Sequence, residues 1–139
     1  MVQGQYYELP EFSAILTFID AIFAEINMGL LIYHVENPQD IRTARLIYAN
    51  TQASRCTGTD LERQVGKLIF DAFPQLANTE APRLFAEVAN TKEARHVGVV
   101  EYEDDNVRGG RYSTRAFPMP NDCFGVLFEN ISAEPEAPV

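Results

Sequence analysis

Few residues in this chain have the type and spacing that chemistry requires. Cys56, Cys123, His34 and His96 supply the sulfur and imidazole, and no two of them stand at a close metal-ligand spacing. Cys56 and Cys123 are too few for a disulfide framework and read as small buried hydrophobes. His34 reads as a strand residue exposed on one face, and His96 as a surface or capping residue. No nucleophile–base pair, phosphate-cradling glycine loop or obvious carboxylate pair occurs, so the residues argue for a protein that is not an enzyme. Arg111 and Arg115 flank Tyr112 on one strand. Turned inward, Arg115 could hold a carboxylate through two parallel hydrogen bonds. Turned outward, the preferred reading, it lies along the surface or pairs with Glu101 or Glu103. Glu103-Asp104-Asp105 reads as a solvated loop rather than a cation site.

The bulk properties narrow the class further. The 139 residues are 46% apolar and 22% charged, which suits one globular domain with an ordinary core. Eleven Lys and Arg against twenty Asp and Glu give a net charge of −9, and Arg42 is the first basic residue. Nucleic-acid binding is excluded, because phosphate contacts need clustered positive charge. The basic-free N-terminus does not resemble a signal peptide. The longest nearly apolar run, Met28 to Tyr33, is far below the ~20 residues that span a bilayer. The expectation is a cytoplasmic protein without membrane insertion.

The elements that must position any site follow from periodicity. Phe12, Ile15, Leu16, Ile19, Ile22, Phe23 and Ile26 recur at helical spacing within residues 1–27. Such a stripe needs burial, either as a lid on the chain's own sheet or as a dimer contact, and both readings stay open. Residues 29–35 read as a first strand and Leu46 to Ala49 as a second. Asn50 stands where a helix N-cap belongs and Gly58 where that helix stops. Thr59 to Glu62 reads as a capping box opening a short helix. A further turn surrounds Ile69 and closes at Pro74, and Pro82 suits the first turn of another helix. From Arg95 the period becomes 2, giving strands near 96–103, 111–117 and 123–128, with residues 104–110 as a hairpin loop and 118–122 as a turn. Helices set between runs of strands argue for an α+β fold with a five-stranded antiparallel sheet. The tail, residues 132–139, is too polar and proline-broken to pack and reads as a linker or free end.

That order resembles the PAS domain, a sensory module of signalling proteins, and the likeness extends to motifs within residues 28–131. Residues 29–33, Gly-Leu-Leu-Ile-Tyr, are similar to the family's first-strand "GxxIxD" segment. Leu46 to Gly58 resembles its "ILYVNPAFERLTGY" block, Asp60 to Leu68 its "EELIGR", and Phe70 to Pro74 the "LFP" that follows. Val126 to Ser132 resembles the "GVVRDIT" that ends many of its members.

The resemblance implies a PAS fold, with short helices on one face of the sheet and a ligand held between sheet and helices. A light-sensing flavin relative needs a cysteine three positions after the motif glycine, where this chain has Ile69, so a covalent flavin adduct is not expected. A haem relative needs a histidine on the helix before the third strand, and residues 82–89 contain none. What remains is a small organic ligand or no ligand. By the family pattern Tyr112, Thr114, Phe124, Val126 and Phe128 face inward, opposite Leu84, Phe85 and Val88, and they form either a pocket wall or a filled core. The implied function is a sensory and regulatory module, in systems such as two-component histidine kinases and cyclic-dinucleotide enzymes. It would pass the state of a ligand or partner to an effector domain or signalling protein. The alternative is a ligand-free homodimerisation module built on the 12–26 stripe.

Overall fold

The computed structural model describes residues 10–105 and 107–132, with only the backbone for residues 10–12 and 108. The tail assigned to residues 132–139 lies outside this range apart from Ser132, and so does the side chain of Phe12. Helix α1 (Pro10–Ile26) precedes strands β1 (Gly29–Val35) and β2 (Ala44–Ala49). Helices α2 (Thr51–Thr57), α3 (Ile69–Ala72) and α4 (Ala81–Thr91) follow, then strands β3 (Arg95–Asp104), β4 (Val107–Met119) and β5 (Cys123–Asn130). The strands form one antiparallel sheet in the order β2-β1-β5-β4-β3.

The sheet separates two apolar layers. Tyr33, Leu46, Ala116, Phe124, Val126 and Phe128 on its inner face pack against Ala53, Leu61, Ile69, Phe85 and Val88 from the helical segment. On the outer face, Leu30, Ile32 and Cys123 are covered by Leu16, Ile19 and Phe23 of α1. The N-terminal helix is thus a lid on its own sheet. This leaves Ile15, Phe18, Ile22 and Ile26 on the side away from the sheet, with exposures of 50%, 70%, 60% and 52%. The expected stripe is therefore two stripes on one helix, since α1 is apolar over more of its circumference than one buried face needs.

Asn50 ties these layers together. Its Oδ1 accepts from Ala53 N–H at 2.8 Å, capping α2, and from Leu30 N–H at 3.0 Å. Its Nδ2 donates to the Met28 carbonyl at 3.2 Å, and its own backbone N–H donates to the Leu30 carbonyl at 3.1 Å. This residue, only 1% exposed, thus has partners for both its amide oxygen and its amide nitrogen, as a buried amide requires. Gly58 ends α2 in the left-handed region at φ 76°, its N–H bonded to the Ser54 carbonyl.

Several boundaries differ from the sequence reading. The cap after α2 is Asp60, not Thr59, and it opens a 3-10 turn (Leu61–Gln64). Asp60 accepts from Glu62 N–H at 3.1 Å, a local Asx turn that competes with the capping box. Pro74 opens a second 3-10 turn (Pro74–Asn78) as well as closing α3. Strand β4 begins at Val107, so the expected loop of residues 104–110 shrinks to a tight turn. Val107 is buried, and Asp104 Oδ1 accepts from its N–H at 2.8 Å.

Both sheet edges are spoiled for further pairing. Along β2, Gly66 N–H donates to the Leu46 carbonyl at 2.7 Å and Leu46 N–H to the Lys67 carbonyl at 3.0 Å. Along β3 the register shifts between His96 and Gly98, where φ is 88°. Asn50→Ala should remove a cap, worth about 1 kcal/mol, and strand the buried Leu30 N–H, a cost of about 1–3 kcal/mol. Urea unfolding should therefore show a loss on the order of 3 kcal/mol by these principles. A loss below about 1 kcal/mol would mean that Asn50 does not hold the layers together.

Candidate ligand cavity between sheet and helices

The inner space of the fold has two unequal halves. In one, Phe124 is stacked on Tyr33 at 5.2 Å between ring centroids and tilted against Phe85 at 5.3 Å. Val88 packs in the same fully buried layer. This half is solid. In the other, a cavity of about 80 Å³ remains. Its sheet wall is Leu31, Tyr33, Val100, Tyr102, Val107, Tyr112, Thr114, Val126 and Phe128, and its helical wall runs from Thr57 and Leu61 through Phe73 and Leu76 to Ala81 and Phe85.

Phe85, Tyr112, Thr114, Val126 and Phe128, all expected to face inward, come together on this wall. Leu84, Val88 and Phe124 do not line it. Leu84 is half-buried at the rim of α4, because the buried positions of that helix are Ala81, Phe85, Val88 and Ala89. Val88 and Phe124 fill the solid half. Sequence reasoning missed Val100, Tyr102 and Val107 from β3 and the start of β4. Alternation placed the strands, but the hairpin was read as too long to bring Val107 inside.

Three of the hydroxyls around the cavity, those of Thr57, Thr114 and Tyr102, are turned to partners within the protein. Thr57 Oγ1 donates to the Ala53 carbonyl at 2.9 Å, and Thr114 Oγ1 donates to the Tyr112 carbonyl at 2.9 Å. The Tyr102 hydroxyl donates to Asp104 Oδ2 and accepts from Gln75 N–H at 3.2 Å, with the ring of Phe73 edge-on at 6.2 Å. Burial, reinforced by the Asp104 carboxylate, raises the Tyr102 phenol above its ordinary pKa, and burial alone does the same for Tyr33. Both stay neutral at any ordinary pH, and no charged side chain lines the space.

Other candidate groups lie elsewhere. Arg111 and Arg115 are exposed, and Ser113 and Phe117, which share their face of β4, pair with β5 residues on the outer side, so neither arginine can grip a ligand in the cavity. Ile69 is fully buried in α3 and does not line the cavity. Cys56 is half-buried on α2, where burial pushes its thiol pKa up, and Cys123 packs under α1 on the opposite face. His34 is half-buried and His96 exposed, and neither lines the cavity. Among the described residues no three His, Cys, Asp or Glu side chains cluster to hold a metal ion. No helix among them is long and apolar enough to cross a membrane.

Helix α2 touches both the cavity and the lid. Thr57 at its C-terminal end lines the cavity. At its other end, Asp20 of α1 accepts from Thr51 N–H at 2.7 Å and from Thr51 Oγ1 at 2.9 Å. The Asp20 carboxylate thus sits at the positive end of α2, where backbone donors lack helical partners.

No protein-family model matches the chain, and no curated protein does. Solved structures do. The PAS domain of a protein from Colwellia psychrerythraea superposes with a TM-score of 0.61 at 13% identity, over 85% of this chain and 98% of that one. The photoactive yellow protein domain of a sensor histidine kinase from Rhodospirillum centenum gives 0.60 at 17% identity, over 79% and 97%. A sensory box sensor histidine kinase from Vibrio cholerae gives 0.52 at 13% identity, over 86% and 94%. With the strand order 2-1-5-4-3 and the helical segment on one face, these likenesses establish that the chain has the PAS fold.

Proposed function

We propose that the chain is a sensory and regulatory module without catalytic activity of its own. The state of its cavity sets the position of α1, and α1 passes that state to an effector domain or signalling protein. The observation that carries this reading is the double attachment of α2, whose Thr57 borders the cavity and whose Thr51 is held by Asp20 of the lid. A guest that pushes on α2 alters the Asp20–Thr51 contact, one of the polar contacts that seat α1. Two of the structural neighbours come from sensor histidine kinases, which supports a role in signalling. We read the module as cytoplasmic.

The exposed stripe of α1 favours a homodimer as part of the same proposal. Four large apolar side chains in a row on one helix face are more than an isolated surface ordinarily carries. The ligand-free dimerisation module is the second reading, and it rests on this stripe alone. Leu16, Ile19 and Phe23, expected as dimer contacts with the others, are engaged by the chain's own sheet and serve the lid instead.

Two measurements separate these readings. Light scattering should give a mass of two chains for the native protein and one chain for Phe18→Glu, with the circular dichroism unchanged. A single-chain mass for the native protein would remove the homodimer. Val126→Phe should fill the cavity as a guest would, and amide exchange in residues 13–26 should change by about tenfold, a shift of 1.4 kcal/mol in local opening. Asp20→Ala should speed exchange in the same segment and abolish its response to Val126→Phe. If the exchange of α1 ignores the filled cavity, the sensory reading falls and the dimerisation module stands.

A further inference from the structure

We propose that the cavity is a dry site for a small, uncharged, apolar guest of the size of xenon or a light hydrocarbon, and not for an anion, an amino acid or a nucleotide. The inference deepens the sensory reading by naming the ligand class.

Three observations carry it. The first is chemical. No charged group lines the cavity, and its surface is almost wholly carbon. The second is the disposition of the hydroxyls. Thr57 and Thr114 spend their hydroxyl protons on backbone carbonyls, and Tyr102 spends its proton on Asp104 while accepting from Gln75 N–H. A guest that needs a donor from Thr57, Thr114 or Tyr102 would have to break one of these bonds, and each buried group left unpaired costs about 1–3 kcal/mol. Even a water, which needs two to four polar partners, finds little here. The third is size. At about 80 Å³ the space is far below the roughly 300–1,000 Å³ of pockets for drug-sized ligands. It is also smaller than the ~150 Å³ apolar cavity known to take benzene or xenon. Xenon or a light hydrocarbon therefore fits the space as it stands, and benzene enters only if the walls part. Partly exposed Leu76 and Val100 mark the side where they can give, since every other apolar wall residue is buried.

The test uses the whole chain and xenon as probe. Backbone amide NMR under xenon pressure should show saturable shifts at Tyr112, Thr114 and Val126, and not at Ile47 or Met119 on the outer face. Val126→Phe should abolish the shifts, and Ala81→Leu, a milder filling, should weaken them at least tenfold if Val126→Phe does not fold. Native mass spectrometry of the protein as purified supplies the second arm. A native protein that gives no saturable response to xenon overturns the proposal. So does an anion, amino acid or nucleotide found bound and displaced by Val126→Phe, an outcome that leaves the sensory reading intact. Saturable xenon binding without any change in α1 exchange upholds the ligand class and defeats the sensory reading.

Discussion

The fold depends on how one buried asparagine is satisfied. Asn50 stands where β2 hands over to α2, and the chain there must turn from the sheet into the helical layer without leaving polar backbone unpaired. Its amide oxygen serves two N–H groups on different elements, and its amide nitrogen reaches a carbonyl at the start of β1. A carboxylate could not make the third bond, and a serine could not span all three. The start of β1 and the start of α2 are thereby fixed to each other. The cavity wall, the position of Thr51 and the seat of the lid all inherit that registration.

How the inner space divides follows from side-chain size along β5. Phe124 is long enough to meet both Tyr33 and Phe85, and closes one half. Two residues on, Val126 is shorter, and the hollow opens opposite it. The same strand therefore makes a solid core and leaves a cavity, through neighbouring residues of one face. The core half anchors the sheet to α4. The hollow half lies against α2 and β3, and of these α2 also meets the lid.

Much of this was legible in the residues. Period 2 from Arg95 gave three strands, and Asn50 and Gly58 marked the two ends of α2 because each does something few other residues can. The motif resemblance gave the fold that the superpositions then established. Other features were hidden for physical reasons. Val107 escaped notice because a tight turn at Asp105, held by Asp104, replaced the long loop that a glycine-rich stretch suggests, whereas Tyr102 lay within the strand read at 96–103 and was not assigned to its inner face. Two stripes on α1 read as one, because apolar residues at positions 12, 15, 16, 19, 22, 23 and 26 satisfy helical spacing without saying which side meets the sheet, and Phe18 on the exposed side was passed over. Leu84 looked as apolar as Phe85, and only the rotation of α4 separates them.

The edges of the sheet have a consequence for how copies of this chain can meet. Residues 66 and 67 already occupy the outer rim of β2, and the backbone of β3 is bent at Gly98. Neither rim offers the long, flat ladder on which strands from other molecules stack. Growth of the sheet from molecule to molecule is hindered along β2 by residues 66 and 67 and interrupted along β3 by its bulge, which works against the amyloid-like recruitment of exposed strands.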